Sequence, residues 1–273
     1  MMSGKLYVVG TPIGNLGDFS PRALETLEKV DFIAAEDTRV TLKLLNHFGI
    51  KKEMLSYFEH NKKSKGDVII TRLLSGESCA ICTDAGMPAI SDPGEDLVRE
   101  CHENGIEVES IPGPTAFATA LAISGMPSRR FTFEGFLSAD KKERKAQLKE
   151  LANEKRTMVF YEAPHKLCAT LEDMLSVFGE RNAAVVKEIT KIHESVFRAT
   201  LAQAVEKYKE EKPKGEFVII VEGACESTEE ITFEKAVQMA RALMENGMSV
   251  SFAAKEIANS TPYKKGDIYK ALL

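Results

Sequence analysis

The stretch Ser78-Cys-Ala-Ile-Cys-Thr-Asp-Ala-Gly-Met-Pro-Ala-Ile-Ser-Asp-Pro-Gly-Glu95 carries the fold in miniature. Ser78 to Thr83 is an apolar, β-prone run of the kind that makes a buried strand. A loop with Gly and Pro follows. Asp92-Pro93-Gly94-Glu95 then reads as a capping box, with Asp at the N-cap, Glu three residues later and Gly105 placed to end the helix. Strand, loop and capped helix in that order are the unit of an α/β protein with a mostly parallel sheet. Cys79 and Cys82 form a CxxC inside the strand, but residues three apart on a strand point to opposite faces, so no metal site is expected there.

The same alternation extends in both directions. Upstream and downstream strands are predicted at Lys5 to Val9, Asp31 to Ala35, Met54 to Phe58 and Ile106 to Ile111. Ser20-Pro21 supplies an N-cap and a first-turn proline for a helix through Ala23, Leu24, Leu27 and Val30. Ile111-Pro-Gly-Pro-Thr-Ala116 cannot continue a strand, because two prolines within three residues remove ladder donors, and it marks a domain boundary. Beyond it come a small-residue helix from Thr115 to Ser124, closed by Gly125, and strands at Phe131 to Phe136, Thr157 to Tyr161, Ala183 to Glu188 and Glu216 to Glu222. Helices at Ala139 to Asn153 and Thr200 to Glu211 separate them, with more antiparallel pairing expected than in the first half. From about Thr232 the strand signal stops. Phe233, Val237, Ala240 and Met244 keep helical spacing up to Asn246-Gly247, a second helix spans Phe252 to Ala258, and Thr261-Pro262 caps a third. Such a tail is helix-turn-helix-like, a unit that serves nucleic-acid binding or simple packing. The domains expected are 1–114, 115–226 and 227–273.

The composition is compatible with this. At 273 residues, 44% hydrophobic and 28% charged, the chain is neither disordered nor collagen-like. Its net charge of −5 excludes a generic polyanion binder, so any nucleic-acid contact must be local. No apolar run approaches the roughly 18 residues of a membrane span. The start, Met1 to Val9, is broken by Gly10 too early for a signal segment, which makes the cytoplasm the expected compartment. Five cysteines, an odd number, fit reduced thiols.

Two loops leave strand ends where ligands of α/β sheets bind. The first, Gly10-Thr-Pro-Ile-Gly-Asn-Leu-Gly17, has G-x3-G-x2-G spacing, which matches neither a dinucleotide nor a P-loop motif and serves equally as ligand site or tight turn. The second, Thr83 to Gly94, offers the Asp84 carboxylate to hydroxyl or ammonium groups. Gly86, Ala89 and Ile90 add backbone and a small apolar surface for a flat ring.

Five motifs in one order complete the picture: Leu6-Tyr-Val-Val-Gly-Thr-Pro-Ile-Gly-Asn-Leu16, Ala34-Ala-Glu-Asp-Thr-Arg39, Asp84 to Gly94, Ile111 to Ala116 and Phe160-Tyr-Glu-Ala-Pro-His165. Together they resemble the ribosomal RNA small-subunit methyltransferase I family, within the tetrapyrrole-methylase-like (class III) S-adenosylmethionine-dependent methyltransferases. The resemblance runs to Lys214-Gly-Glu-Phe-Val-Ile-Ile-Val-Glu222. It implies two α/β domains of the tetrapyrrole methylase type with the cofactor, S-adenosyl-L-methionine, in the cleft between them, a small helical tail and a homodimer. The activity implied is 2'-O-methylation of a cytidine ribose in the decoding region of 16S rRNA, with the small ribosomal subunit as partner and neither DNA nor membrane. By motif position it implies cofactor contacts at Pro12, Asp84, Gly86, Ala89, Ile90, Thr115, Ala116 and Tyr161. Ser138 stands where the family pattern has Pro and Lys166 where it has Arg, and the tail after Ala224 follows the pattern loosely, departures that bear on RNA contacts more than on the cofactor.

Transfer of a methyl group to a ribose hydroxyl calls for alignment and for a group that takes or eases away the proton. Two polar clusters at strand ends are candidates: Glu36, Asp37 and Arg39, and Lys187 and Glu188 with Lys191, His193 and Glu194. The first is equally a helix N-terminus dressed with acids, and the second an ordinary ion pair. His165 beside Glu162 is a further candidate. Lys62, Lys63 and Lys65, Arg129 and Arg130, Lys141, Lys142, Arg144 and Lys145, and Lys264 and Lys265 are the local basic groups that could meet RNA or simply face solvent. Two other readings stay open: methylation of a small tetrapyrrole, since the cofactor loops resemble both branches, and a non-catalytic RNA-binding assembly module.

Overall fold

A computed structural model describes residues 3–225, 232–245 and 247–273. The chain divides into two compact units, the first ending at Ala224 and the second starting at Cys225. The expected boundary between 226 and 227, and Asn246 as a helix stop, lie outside the described residues.

The first unit opens with β1 (Lys5–Val9), α1 (Pro21–Lys29), β2 (Phe32–Ala35), α2 (Thr38–His47), β3 (Glu53–Ser56), α3 (Lys62–Leu74), β4 (Cys79–Cys82), α4 (Gly94–Glu103) and β5 (Glu107–Ile111). These strands make one parallel sheet in the order β3-β2-β4-β1-β5. Its central strands are buried on both faces, as parallel sheets require. Leu6, Phe32, Cys79 and Ile81 pack on Ile69 and Leu73 of α3 and Leu97 of α4. Val9, Ile33, Ala80 and Cys82 pack on Ala23 and Leu27 of α1 and Leu45 of α2. Cys79 and Cys82 thus lie in different cores, and burial drives the Cys82 thiol up to about 12.

The helix starts follow local chemistry. Ser20 Oγ accepts from Ala23 N at 3.1 Å to cap α1, behind the first-turn proline. Asp92 acts differently from the capping box expected of it. Pro93 already has helical dihedrals and takes the N-cap position, so α4 starts at Gly94; the Asp92 carboxylate instead accepts from Gly94 N at 2.8 Å and Ala89 N at 2.9 Å, closing the loop on itself.

After α5 (Ala116–Ser124) come β6 (Phe131–Phe136), α6 (Lys141–Glu150), β7 (Thr157–Glu162), α7 (Leu167–Phe178), β8 (Asn182–Lys187), β9 (Ser195–Thr200), α8 (Leu201–Glu210) and β10 (Phe217–Val221). The second sheet runs β6-β7-β10-β8-β9; β6 and β7 are parallel and every other pairing is antiparallel. One face buries Met158, Phe160, Val185 and Ile219 under α6, α7 and α8. On the other face Val159, Ala184, Val186 and Ile220 meet Ala120 and Leu121 of α5, together with Ile13 from the first glycine loop. The strand β9 was not expected from sequence, because it is a half-exposed edge with no clean alternation of apolar and polar residues.

The second unit contains α9 (Phe233–Glu245), α10 (Val250–Ser260) and α11 (Lys265–Leu272) around Ala236, Ala240, Ala254, Ile257 and Ile268. The third helix starts three residues later than Thr261-Pro262 suggests. Thr261 Oγ1 donates back to Ile257 O at 2.7 Å, ending α10, and Lys264 takes the N-cap position of α11.

Several basic residues are committed to the fold. Arg144 is buried and donates to Asp173 Oδ2 from Nε at 2.9 Å and from Nη2 at 2.7 Å, with further bonds to the carbonyls of Ser138 and Ala139. It is therefore withdrawn from the surface patch with Lys141, Lys142 and Lys145. Lys62 bridges Glu59 and Asp96, both at 2.7 Å. Removing one partner from the buried pair leaves an uncompensated charge, so Asp173→Ala is expected to lower unfolding free energy by about 3–5 kcal/mol, measured by chemical denaturation. Gly113→Ala is expected to cost about 1–3 kcal/mol in the same assay, because its Cβ would lie 2.7 Å from the backbone of Gly10. A Gly113→Ala protein of parental stability would show that these backbones can separate.

Candidate active site

The two glycine-bearing loops are laced together. Thr11 N donates to Gly86 O at 2.8 Å and Gly86 N returns to Thr11 O at 3.2 Å, a short antiparallel bridge between the ends of β1 and β4. The buried Thr11 hydroxyl donates to Thr83 O at 3.2 Å. Just beyond β1, Gly10 packs against Gly113 so closely that a Cβ on Gly10 would lie 2.6 Å from Gly113 Cα. The segment that follows β5 therefore leads into α5 along the first loop.

Between these loops and the second sheet lies a cavity of about 400 Å³. From the first sheet it is lined by Ile13, Glu36, Thr83 and the second loop, including Gly86, Met87, Ile90 and Asp92. Thr115 and Ala116 at the start of α5 form another side. The second sheet contributes Phe136 at the end of β6, Tyr161 to Pro164 from the end of β7, Val186 and Ile189 around the end of β8, and Glu216 to Val218 at the start of β10.

Of the cofactor positions expected from sequence, Gly86, Ile90, Thr115, Ala116 and Tyr161 line this cavity. Pro12, Ala89 and Asp84 belong to the same loops but are not among the lining residues, and Asp84 stands beside Glu36. Of the candidate catalytic groups, Glu36 lines the cavity. Its Oε2 accepts from Thr83 Oγ1 at 2.5 Å and Asp84 N at 3.3 Å, while Asp84 Oδ1 accepts from Asp37 N at 3.2 Å. Asp37 and Arg39 are paired with each other outside the lining, Nη2 to Oδ2 at 2.6 Å, and the guanidinium holds the Asp37 carboxyl down to about 2. Lys187 ends β8 outside the lining.

Glu188 belongs to an ion-pair cluster at the edge of the second sheet. Lys191 Nζ lies 2.9 Å from both Glu188 Oε1 and Glu216 Oε2, and its stem covers Gly14 of the first loop, where a Cβ would come within 2.5 Å of Lys191 Cγ. Burial works against the Glu188 charge, but Lys191 and the Glu216 N–H outweigh it and lower its pKa. His193 and His165 are exposed. Glu162, the partner expected for His165, is buried and occupied instead by Thr170 Oγ1 at 2.5 Å, Ala163 N at 2.8 Å and Lys166 Nζ at 3.1 Å.

The polar character of the cavity is acidic. Burial, then the neighbouring Glu36 charge, pushes the Asp84 carboxyl up. Asp92 moves in the same direction, chiefly by burial, against the N–H groups of Ala89 and Gly94. Tyr161 accepts from Phe117 N at 3.1 Å, which caps α5 with a phenol whose pKa burial raises. Sequence reasoning missed Phe136 and Glu216, and gave Glu162 only as the neighbour of His165. Phe136 and Glu162 end strands, so the rule used for the two loops reaches them. Glu216 does not, because β10 runs antiparallel to β7 and β8 and brings its amino end to the cavity.

The family model for tetrapyrrole (corrin/porphyrin) methylases matches residues 5–205. A protein of Synechocystis sp., ribosomal RNA small subunit methyltransferase I, is 46% identical over 272 residues, covering 99% of this chain and 98% of its own length. The protein of the same name from Thermotoga maritima is 48% identical over 220 residues, 81% of this chain and 99% of its own. Among solved structures, uroporphyrin-III C-methyltransferase from Thermus thermophilus complexed with S-adenosyl homocysteine superposes with a TM-score of 0.56 at 18% identity, covering 80% of this chain and 97% of that one.

The raised Asp84 pKa fixes the sign of a pH effect. Folding favours protonated Asp84, so its stabilisation is complete below the ordinary value of 3.8 and is lost as pH rises through the higher folded value. Asp84→Asn is expected to melt at a higher temperature than the parent at neutral pH and at the same temperature below pH 3.8. A variant less stable at neutral pH would overturn this assignment.

Proposed function

The chain belongs to the tetrapyrrole (corrin/porphyrin) methylase family, and from that premise we propose that it is an S-adenosylmethionine-dependent methyltransferase of small-subunit ribosomal RNA. The observation that carries this reading is the 46% identity over nearly the whole of both chains to a relative bearing that name. The tetrapyrrole enzymes share the fold at 18% identity, which supports the architecture without the substrate. The acceptor we infer is a cytidine 2'-hydroxyl in the decoding region of 16S rRNA, and the assembly a homodimer; both rest on the motif resemblance. The cleft divides the first unit near Pro114.

The residues present fit the cofactor. A cavity of about 400 Å³ falls in the range that holds such ligands. Its carboxylates suit a molecule bearing sulfonium and ammonium charges, and Gly86, Ile90, Thr115, Ala116 and Tyr161 offer backbone and flat apolar surface. When bound, S-adenosylmethionine supplies an electrophilic methyl group. Asp84 holds the second loop against Asp37 N and adds charge at the cavity edge. Glu36 is the carboxylate best placed to take the hydroxyl proton. Glu162 is ion-paired with Lys166, Glu216 with Lys191, and Asp92 is turned into its own loop by the N–H groups of Ala89 and Gly94, whereas Glu36 accepts from a hydroxyl and an amide at the cavity wall.

Methyl incorporation into small ribosomal subunits from a strain lacking the activity tests the reading; a folded protein that binds S-adenosylhomocysteine yet transfers nothing would end it. In that assay Glu36→Gln is expected to lower kcat by about 10²- to 10⁴-fold. Parental turnover in Glu36→Gln would assign the proton to another group.

A further inference from the structure

The strand β6 carries a bulge. Phe133 pairs with Val159, Gly135 with Phe160 and Phe136 with Tyr161, so Glu134 is the extra residue. Val159 and Tyr161 are two apart on β7 and share a face, the one that packs on α5. The bulge therefore turns Phe133 and Phe136, three apart in sequence, to the same side. In a regular strand Phe136 would point to the opposite face, where Met158 and Phe160 are buried. Gly135 makes the turn with φ +63, in the left-handed region that other residues avoid.

What the bulge delivers is an aromatic ring at the cavity. Phe136 lines it while remaining 57% exposed, which places the ring at the mouth. It is braced by Tyr161, ring centroids 5.3 Å apart, and lies 6.0 Å from Lys166 Nζ. The charged residues of the lining are the carboxylates Glu36, Asp92, Glu162 and Glu216; among the described residues no Lys or Arg lines it. Such a surface repels a phosphodiester and accepts a neutral ring.

We propose that Phe136 is the platform on which the base of the target nucleotide stacks, so that the RNA presents this nucleotide unpaired and unstacked from its neighbours while its phosphates stay outside the cavity. The proposal rests on the RNA methyltransferase reading above and adds how the substrate is held. An exposed aromatic face binds any unstacked base, as single-strand RNA sites do. A ring serving the cofactor instead would be closed in by it, and its loss would show in cofactor affinity.

The test compares Phe136→Ala and Phe136→Tyr with the parent, measuring methyl transfer over a range of small-subunit concentrations at saturating S-adenosylmethionine, and S-adenosylhomocysteine affinity by calorimetry. Phe136→Ala is expected to lower kcat/KM for the subunit by roughly ten- to a hundredfold, with S-adenosylhomocysteine affinity at the parental value and most of the loss recovered in Phe136→Tyr. Parental kcat/KM in Phe136→Ala, a parallel fall in S-adenosylhomocysteine affinity, or a Tyr variant as poor as Ala would each overturn the platform. A parent that binds S-adenosylhomocysteine but methylates no subunit overturns the reading beneath it, and the platform with it.

Discussion

Gly10 and Gly113 pass each other backbone to backbone, with no room for a Cβ on either. That approach lets the end of β1 and the segment after β5 run side by side, so the chain leaves the first sheet directly above the loop that begins it. The Thr11–Gly86 bridge then fixes the second loop to the first. With three segments locked in this way, Ile13 can reach the second sheet and pack among Val159, Val186 and Ile220. Ile13, Gly86 and Thr115, which line the cavity, all belong to segments brought together by these contacts.

The opposite wall combines the packing of Val186, Ile189 and Val218 with a cluster of charges. The Lys191 stem lies over Gly14 of the first loop, and its ammonium bridges Glu188, after the end of β8, and Glu216, before the start of β10. An ion pair of this kind, more than a quarter exposed at the lysine, adds modestly to stability. It holds the segment after β8 against the residue that precedes β10, within the second sheet. Inside, carboxylates from both sheets converge; burial raises the pKa of Asp92 there and, with the Glu36 charge, that of Asp84 at the edge. Holding like charges in a partly dry space costs stability, a cost that a cationic ligand offsets on binding.

Much of this was legible in the sequence for local reasons. The strands Lys5–Val9 and Phe131–Phe136, the Ser20 cap and the Gly125 stop follow from periodicity and capping, which act over a few residues. The two loops were legible as site elements because parallel strands expose their carboxyl ends. Asp92 misled because a proline in helical conformation shifted the helix start by one residue. Likewise β9 was silent, since a half-exposed edge strand carries no strict alternation.

The sequence by itself determined the order of elements apart from β9, the α/β class, the loops that line the cavity and, through five motifs, the family. Only the tertiary structure decided which charged groups share the site. Glu36 faces the cavity while Asp37, its neighbour, caps a helix; Arg144 is drawn into the core by Asp173; Glu216 arrives because β10 runs antiparallel to its neighbours. The reason is physical: capping and alternation are set by neighbours in the chain, whereas the direction of a side chain past a bulge, or the partner of a charge, is set by residues that sequence spacing leaves far apart.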